Sequence, residues 1–199
     1  MPIDDATITG ILTKARKEAT RIRDEAADIG RKVHDEVEKW VKAHIEGDIF
    51  ELAYDIEEHP EIVRAWNAFY KFACQRGFRP LNSEGMVYSR KHKFAGTLDI
   101  IAVGRWPKKK KDANYLIDCK TGTVIQRTHG PQVAAYAQAF EEMYGEKIDG
   151  IAVLGLDKIS GEPTWHDFSK DRKKHFQVFL AAKKLHEKLN SEGRRKKDV

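Results

Sequence analysis

The chain has 199 residues, a formal net charge of +5 from 36 basic and 31 acidic side chains, and only two cysteines, Cys74 and Cys119. That length suits one domain with a sizeable core, and so few cysteines exclude both a disulfide framework and a four-cysteine zinc or iron–sulfur site within one chain, which points to a reducing, cytoplasmic setting. No run of about 18 apolar residues occurs and residues 1–5 open no signal peptide, so neither a membrane span nor secretion is expected, while the positive balance allows a polyanionic partner.

From Thr7 to about Glu46, apolar residues recur at helical spacing (Ile8, Ile11, Leu12, Ala15, Ala19, Ile22, Ala26, Ile29, Val33, Val37, Trp40, Val41), which predicts helix, in one piece or two joined near Gly30. Pro60 suits a first helical turn, and Ile62, Val63, Trp66, Phe69, Tyr70 and Ala73 mark a second amphipathic helix ending before Gly77. Strands are predicted over 80–89, 94–104 and 114–120, with the basic stretch 105–112 as an exposed hairpin tip between the last two. A helix follows from Pro131 to about Tyr144, then strands over 148–156 and 163–168, then a final helix from Ser169, as its N-cap, to Leu189. No internal repeat is present. The order of elements argues for a mixed α/β domain around a central sheet, occupying residues 1–192, with a frayed basic tail over 193–199.

The chemistry concentrates in Tyr115-Leu116-Ile117-Asp118-Cys119-Lys120-Thr121-Gly122, where an apolar run ends in an acid with a lysine two positions later. Residues two apart on a strand share a face, so Asp118 can hold a divalent metal with Lys120 beside it, aimed at the water or phosphate that the metal organises. Cys119 points the other way, with its carbonyl oxygen still available to the ion. Upstream, Gly96-Thr97-Leu98-Asp99-Ile100 embeds a second acid in a β-prone run. Asp99 alone could equally be a capping residue at a strand edge. If its strand pairs with that of Asp118, however, two carboxylates converge and offer the hard oxygen ligands that Mg²⁺ or Mn²⁺ prefers.

Asp99 in a Gly-x-x-Asp setting, followed by Asp118-Cys119-Lys120, resembles the PD-(D/E)xK nuclease superfamily. The RecB-like branch fits best, because Gly30-x-x-x-His34-x-x-x-Glu38 is similar to its N-terminal helix motif and Gln132-x-x-x-Tyr136 to its motif on the helix after the lysine strand. The resemblance spans 30–136. It implies a restriction-endonuclease-like core, 30–192, with a central mixed β-sheet flanked by helices and a helical segment, 1–29, before it. It further implies one or two Mg²⁺ or Mn²⁺ ions held by His34, Asp99, Asp118 and the Cys119 carbonyl, with Lys120 acting on the attacking water. Gln132 and Tyr136 would then position the DNA backbone. Glu84 resembles a glutamate that touches the metal through water, and Glu38 either orients the His34 ring or is a solvated helix charge.

The activity implied is metal-dependent DNA exonuclease, of the stand-alone kind familiar among phage and viral recombination, repair and replication enzymes, here without an iron–sulfur cluster. No Gly-x-x-x-x-Gly-Lys-Ser/Thr motif is present, so unwinding would fall to a separate helicase, single-strand-binding or recombination protein. Arg90, Lys91, Lys93 and Lys108, Lys109, Lys110 and Lys111 flank the Asp99 strand, as solvated charge or as contacts to a DNA backbone. Trp106 either stacks on a base or packs on the domain. The rivals are a structure-specific or single-strand endonuclease, a catalytically silent DNA-binding subunit that keeps the fold, and, explaining least, a helical interaction protein.

Overall fold

A computed structural model describes residues 5–106, 111–122 and 124–195. In it the apolar stripe at the start of the chain is one continuous helix, α1 (Asp5–Glu46), with no joint at Gly30. A glycine inside a helix costs about 1 kcal/mol, but here it leaves room for a close neighbour: a Cβ on Gly30 would stand 3.3 Å from Thr121 Oγ1. Helix α2 (Pro60–Arg76) starts on its proline and ends at Gly77, whose φ of 55° lets its N–H return to the carbonyls of Ala73 and Cys74.

Strands β1 (Arg79–Ser89), β2 (Phe94–Gly104) and β3 (Ala113–Lys120) follow as an antiparallel meander. Helix α3 (His129–Tyr144) then crosses over to β4 (Gly150–Leu156), which pairs parallel to β3, and β5 (Pro163–Asp167) closes the sheet antiparallel to β4. A parallel pair needs such a crossover, since a tight turn cannot reverse the chain and bring it back in the same direction. The sheet is therefore mixed, in the order β1-β2-β3-β4-β5. A short 3₁₀ turn (Ser169–Asp171) leads into α4 (Arg172–Arg195).

Helices cover both faces of the sheet, which is why β3 and β4 read as nearly unbroken apolar runs rather than alternating ones. Ile100, Ala102, Tyr115, Ile117, Ala152 and Leu154 pack towards α1 and α2. Leu98, Ile101, Leu116, Ile151 and Val153 pack towards α3. None of the described helices is long and apolar enough to cross a membrane.

Three local expectations are corrected. Helix α3 begins at His129, not Pro131, because the N–H groups of a first turn have no helical acceptor and proline can sit among them. Ser169 does not cap a helix: its hydroxyl accepts the Ile151 N–H at 3.0 Å and ties the turn to β4. The last helix runs to Arg195, past both Leu189 and the start of the expected tail, and 196–199 lie outside the described residues.

Glu36 carries no sequence signal for its role. It is 0% exposed, pairs with Lys39 Nζ at 2.6 Å, and accepts the Ala53 N–H at 3.2 Å, fastening the 47–59 connection to α1. Replacing Glu36 by Ala leaves that N–H without its acceptor. Urea denaturation is expected to show a loss of about 2–3 kcal/mol; a loss under about 0.5 kcal/mol, the range of ordinary surface changes, would mean the connection is held elsewhere.

Candidate active site

Backbone pairing between β2 and β3 stops at Ile100 and Ile117. Beyond that point Asp99 takes over the acceptor role, its Oδ2 receiving the Cys119 N–H at 2.7 Å. The alternation of β2 breaks at the same place, with Leu98 packed towards α3 and Ile100 towards α1 and α2. Across from it, between the pairs Ser83–Ile100 and Gly85–Leu98, Glu84 adopts a φ of 47°. The left-handed region costs a non-glycine residue about 1 kcal/mol or more, and here it accompanies a carboxylate turned into the site.

His34, on α1, closes the group. Its Nε2 lies 2.9 Å from the Cys119 carbonyl oxygen and its Nδ1 lies 3.6 Å from Asp99 Oδ2. A carbonyl only accepts, so Nε2 carries the hydrogen, and in the neutral ring the Nδ1 lone pair faces a carboxylate. A cation between the two would be held by both. Glu84 adds a third donor: one ligand atom from each of His34, Glu84 and Asp99 lies within 4.8 Å of the others. Burial, and after it the charge of Asp99, raises the Glu84 pKa above the usual carboxylate range.

Asp118 is 2% exposed at its side chain and neither carboxylate oxygen makes a well-formed hydrogen bond within the described residues. Lys120 Nζ forms an ion pair with Oδ2 at 2.7 Å. Burial first, and the Asp99 charge second, push the Asp118 pKa up to about 6 against the pull of Lys120. Burial acts to lower the Lys120 pKa, but the carboxylates of Asp118 and Asp99 outweigh it and the net shift is upward, so the lysine is a firm cation. Cys119 turns its side chain into the core beneath α1 and α2, where burial holds the thiol far above its normal pKa.

His34, Glu38, Glu84, Asp99 and Lys120 line an open cleft of about 490 Å³. On α3, Gln132 Nε2 lies 3.4 Å from the Tyr136 hydroxyl, one helical turn on. Tyr136 lies directly over β2: a Cβ on Gly96 would come within 2.4 Å of its ring. The glycine of the Gly-x-x-Asp stretch is thus what admits this tyrosine. Gly96→Ala is expected to displace the ring and lower hydrolysis to the level of Tyr136→Ala, with the double variant no worse than either single one. Additive losses would show that the two residues act separately.

Other candidates take different places, Glu38 at the cleft's rim and the rest outside it. Glu38 pairs with Lys42 one turn along α1, and the His34 ring is oriented by Cys119 instead. Trp106 is not available to a base. It is 2% exposed, stacked on Trp165 at 5.4 Å and 7°, and its indole N–H is donated to the Ala113 carbonyl, because the apolar ring gains more from the pocket formed by Phe72, Tyr115 and Trp165 than from water. Arg90, Lys91 and Lys93 are exposed on the β1–β2 turn, with the Arg90 guanidinium over the Tyr88 ring. Lys111 is exposed at the opposite end of β2, about 35 Å away by the rise of an 11-residue strand. Lys108, Lys109 and Lys110 lie outside the described residues.

The sequence reading overlooked His129, the first residue of α3. Its Nδ1 is buried with no hydrogen-bond partner among the described residues, and its pKa is lowered by burial and by the nearby charge of Lys120. The only available hint was its helical spacing from Gln132 and Tyr136.

A five-stranded mixed sheet with acids from two adjacent strands, a lysine two residues after the second, and a histidine from the N-terminal helix defines a nuclease-type site. The family profile of the PD-(D/E)XK nuclease superfamily matches residues 10–197, and the chain belongs to that superfamily. No curated protein matches the sequence. Membership makes the chain a nuclease, of a kind that generally works with divalent metals. The residues present fit such an ion: a histidine lone pair opposing a carboxylate, a third donor within reach, and a buried carboxylate whose Oδ1 has no partner among the described residues.

Proposed function

We propose that the chain is a metal-dependent DNA exonuclease of the RecB-like branch, working in recombination, repair or replication. The observation that carries this reading is the Asp118 carboxylate, buried beside a second acid and paired with Lys120 through Oδ2 alone, with no hydrogen-bond partner for Oδ1 among the described residues. Lys120 balances one of the two carboxylates, and the remaining buried negative charge is costly unless a further cation joins it. His34, Glu84, Asp99 and Asp118 would hold Mg²⁺ or Mn²⁺, the imidazole favouring Mn²⁺, and the Cys119 carbonyl keeps a second lone pair beyond the one His34 uses. A bound ion supplies charge neutralisation at the phosphate and a lower pKa for water.

The chain's own groups do the rest. Asp118 anchors the Lys120 ammonium in the cleft, where it orients the attacking water and opposes the charge that grows on the phosphate oxygens. Gln132 and Tyr136 offer an amide and a hydroxyl to a neighbouring phosphate and fix the register of the strand. Arg90, Lys91, Lys93 and Lys111 add backbone affinity without sequence preference.

End-labelled linear and circular DNA, single and double stranded, incubated with Mg²⁺, Mn²⁺ or EDTA, tests this reading. Expected is loss of linear substrates from their ends, circles left intact, and no reaction in EDTA. Cleavage of circles would make the enzyme an endonuclease, and binding without hydrolysis in any metal would make it a silent DNA-binding subunit.

A further inference from the structure

Residues 7–27 of α1 are exposed along their whole length, a rod of about 30 Å at 1.5 Å per residue. The rod is not polar all round. Ile8, Leu12, Ala15, Ala19, Ile22, Ala26 and Ile29 recur at alternating steps of four and three, the spacing of a coiled-coil seam. Ile8, Leu12 and Ile22 are 43%, 52% and 55% exposed. Most helical stability in proteins comes from packing an apolar face, and among the described residues nothing covers this face from Ile8 to Ile22, while Ile29 already packs against the core.

The direction of a partner is set by where the seam leads. It continues into Val33, Val37 and Val41, which are buried beneath the body of the same chain. A second helix running parallel on the seam would drive its continuation into that body, whereas an antiparallel one carries its own body to the far end. The antiparallel register that sets Ile8 against Ala26, Leu12 against Ile22 and Ala15 against Ala19 of a second copy is self-complementary. A large residue meets a small one at each end, and the alanines at the centre let the helices approach closely. Like charges meet only near the two-fold axis, at Arg16 and Glu18. Glu18 is already paired within its own helix by Arg21, which holds Glu25 as well.

We infer that the projecting part of α1 is a dimerisation arm, pairing antiparallel with the same segment of a second copy and setting two nuclease bodies at opposite ends of the pair. Sedimentation of the full chain at tens of micromolar is expected to show a dimer. Leu12→Asp combined with Ile22→Asp is expected to give a monomer with unchanged hydrolysis per site, because neither residue belongs to the cleft. In a Cys74→Ser background, Ala15→Cys and Ala19→Cys proteins are expected to cross-link when mixed under mild oxidation and not when oxidised separately. A wild-type monomer at every concentration, a dimer that survives the paired aspartates, or cross-linking of either cysteine protein by itself would overturn the proposal.

Discussion

Asp118→Ala and Lys120→Met are each expected to reduce hydrolysis of labelled DNA by about 10³-fold or more in Mn²⁺, the scale of removing a charge that acts in the transition state. The two changes should be far from additive, because the residues act as one unit: Lys120 is held in the cleft by Asp118, and Asp118 has no other counter-charge on its own strand. The double variant is expected to be no slower than the slower single one. DNA binding measured in Ca²⁺ separates chemistry from affinity. Lys120→Met should still bind, with affinity reduced less than rate. Undiminished hydrolysis by either single variant would remove the Asp118–Lys120 pair from the mechanism.

The second large effect concerns stability, and its sign runs against intuition. Asp118→Asn is expected to stabilise the metal-free protein at pH 8. The folded pKa of about 6 lies above the ordinary 3.8, so the folded chain holds this proton more firmly than the unfolded chain does. Stability from this carboxyl is therefore complete below about pH 4 and is lost as pH rises through 6. A shift of this size corresponds to roughly 3 kcal/mol at pH 8. The attraction of Lys120 is already contained in that figure, because the pKa stands at about 6 against its pull. The carboxylate is nearly dry, so the loss of its hydration outweighs the ion pair, and because the two groups are in contact only a discounted part of that figure is expected to appear. A net gain of roughly 1–2 kcal/mol is expected for the asparagine variant in EDTA at pH 8, with the gain disappearing at pH 4. Adding Mn²⁺ should reverse the order, stabilising the wild type and leaving the variant nearly unchanged. Urea titrations at the two pH values, with and without metal, decide it; an asparagine variant less stable than wild type in EDTA at pH 8 would show that the carboxylate is satisfied without an ion.

Much of the site was legible from residue spacing. Asp118 and Lys120 sit two apart on a strand, and Gln132 and Tyr136 four apart on a helix, so each pair shares a face wherever the element goes. Asp99 stood out because an acid in an apolar strand needs a reason. Glu84 was visible only as a resemblance. Its place beside His34 and Asp99 depends on a left-handed backbone angle opposite an irregularity in β2, which no local pattern announces. Trp106, in a lysine-rich turn, could be read either as a base-stacking residue or as a packed one, and the structure packs it. Its burial depends on Phe72 from α2 and Trp165 from β5, both far away in the chain.

What the sequence by itself determined was the set of elements and which side chains share a face of each, because the helical and strand periods are local properties of the backbone. It also determined the superfamily, since the motifs keep their order and spacing. The tertiary structure alone decided which faces meet: that β3 and β4 run parallel, that His34 reaches the Cys119 carbonyl from α1, and that Gly96 makes room for Tyr136. It also showed where an apolar stripe stops having a partner. Apolar residues recur at helical spacing along all of α1, yet its second half is buried in the body and its first half projects from it. The difference comes from where the sheet ends, which is a fact of packing and not of pattern.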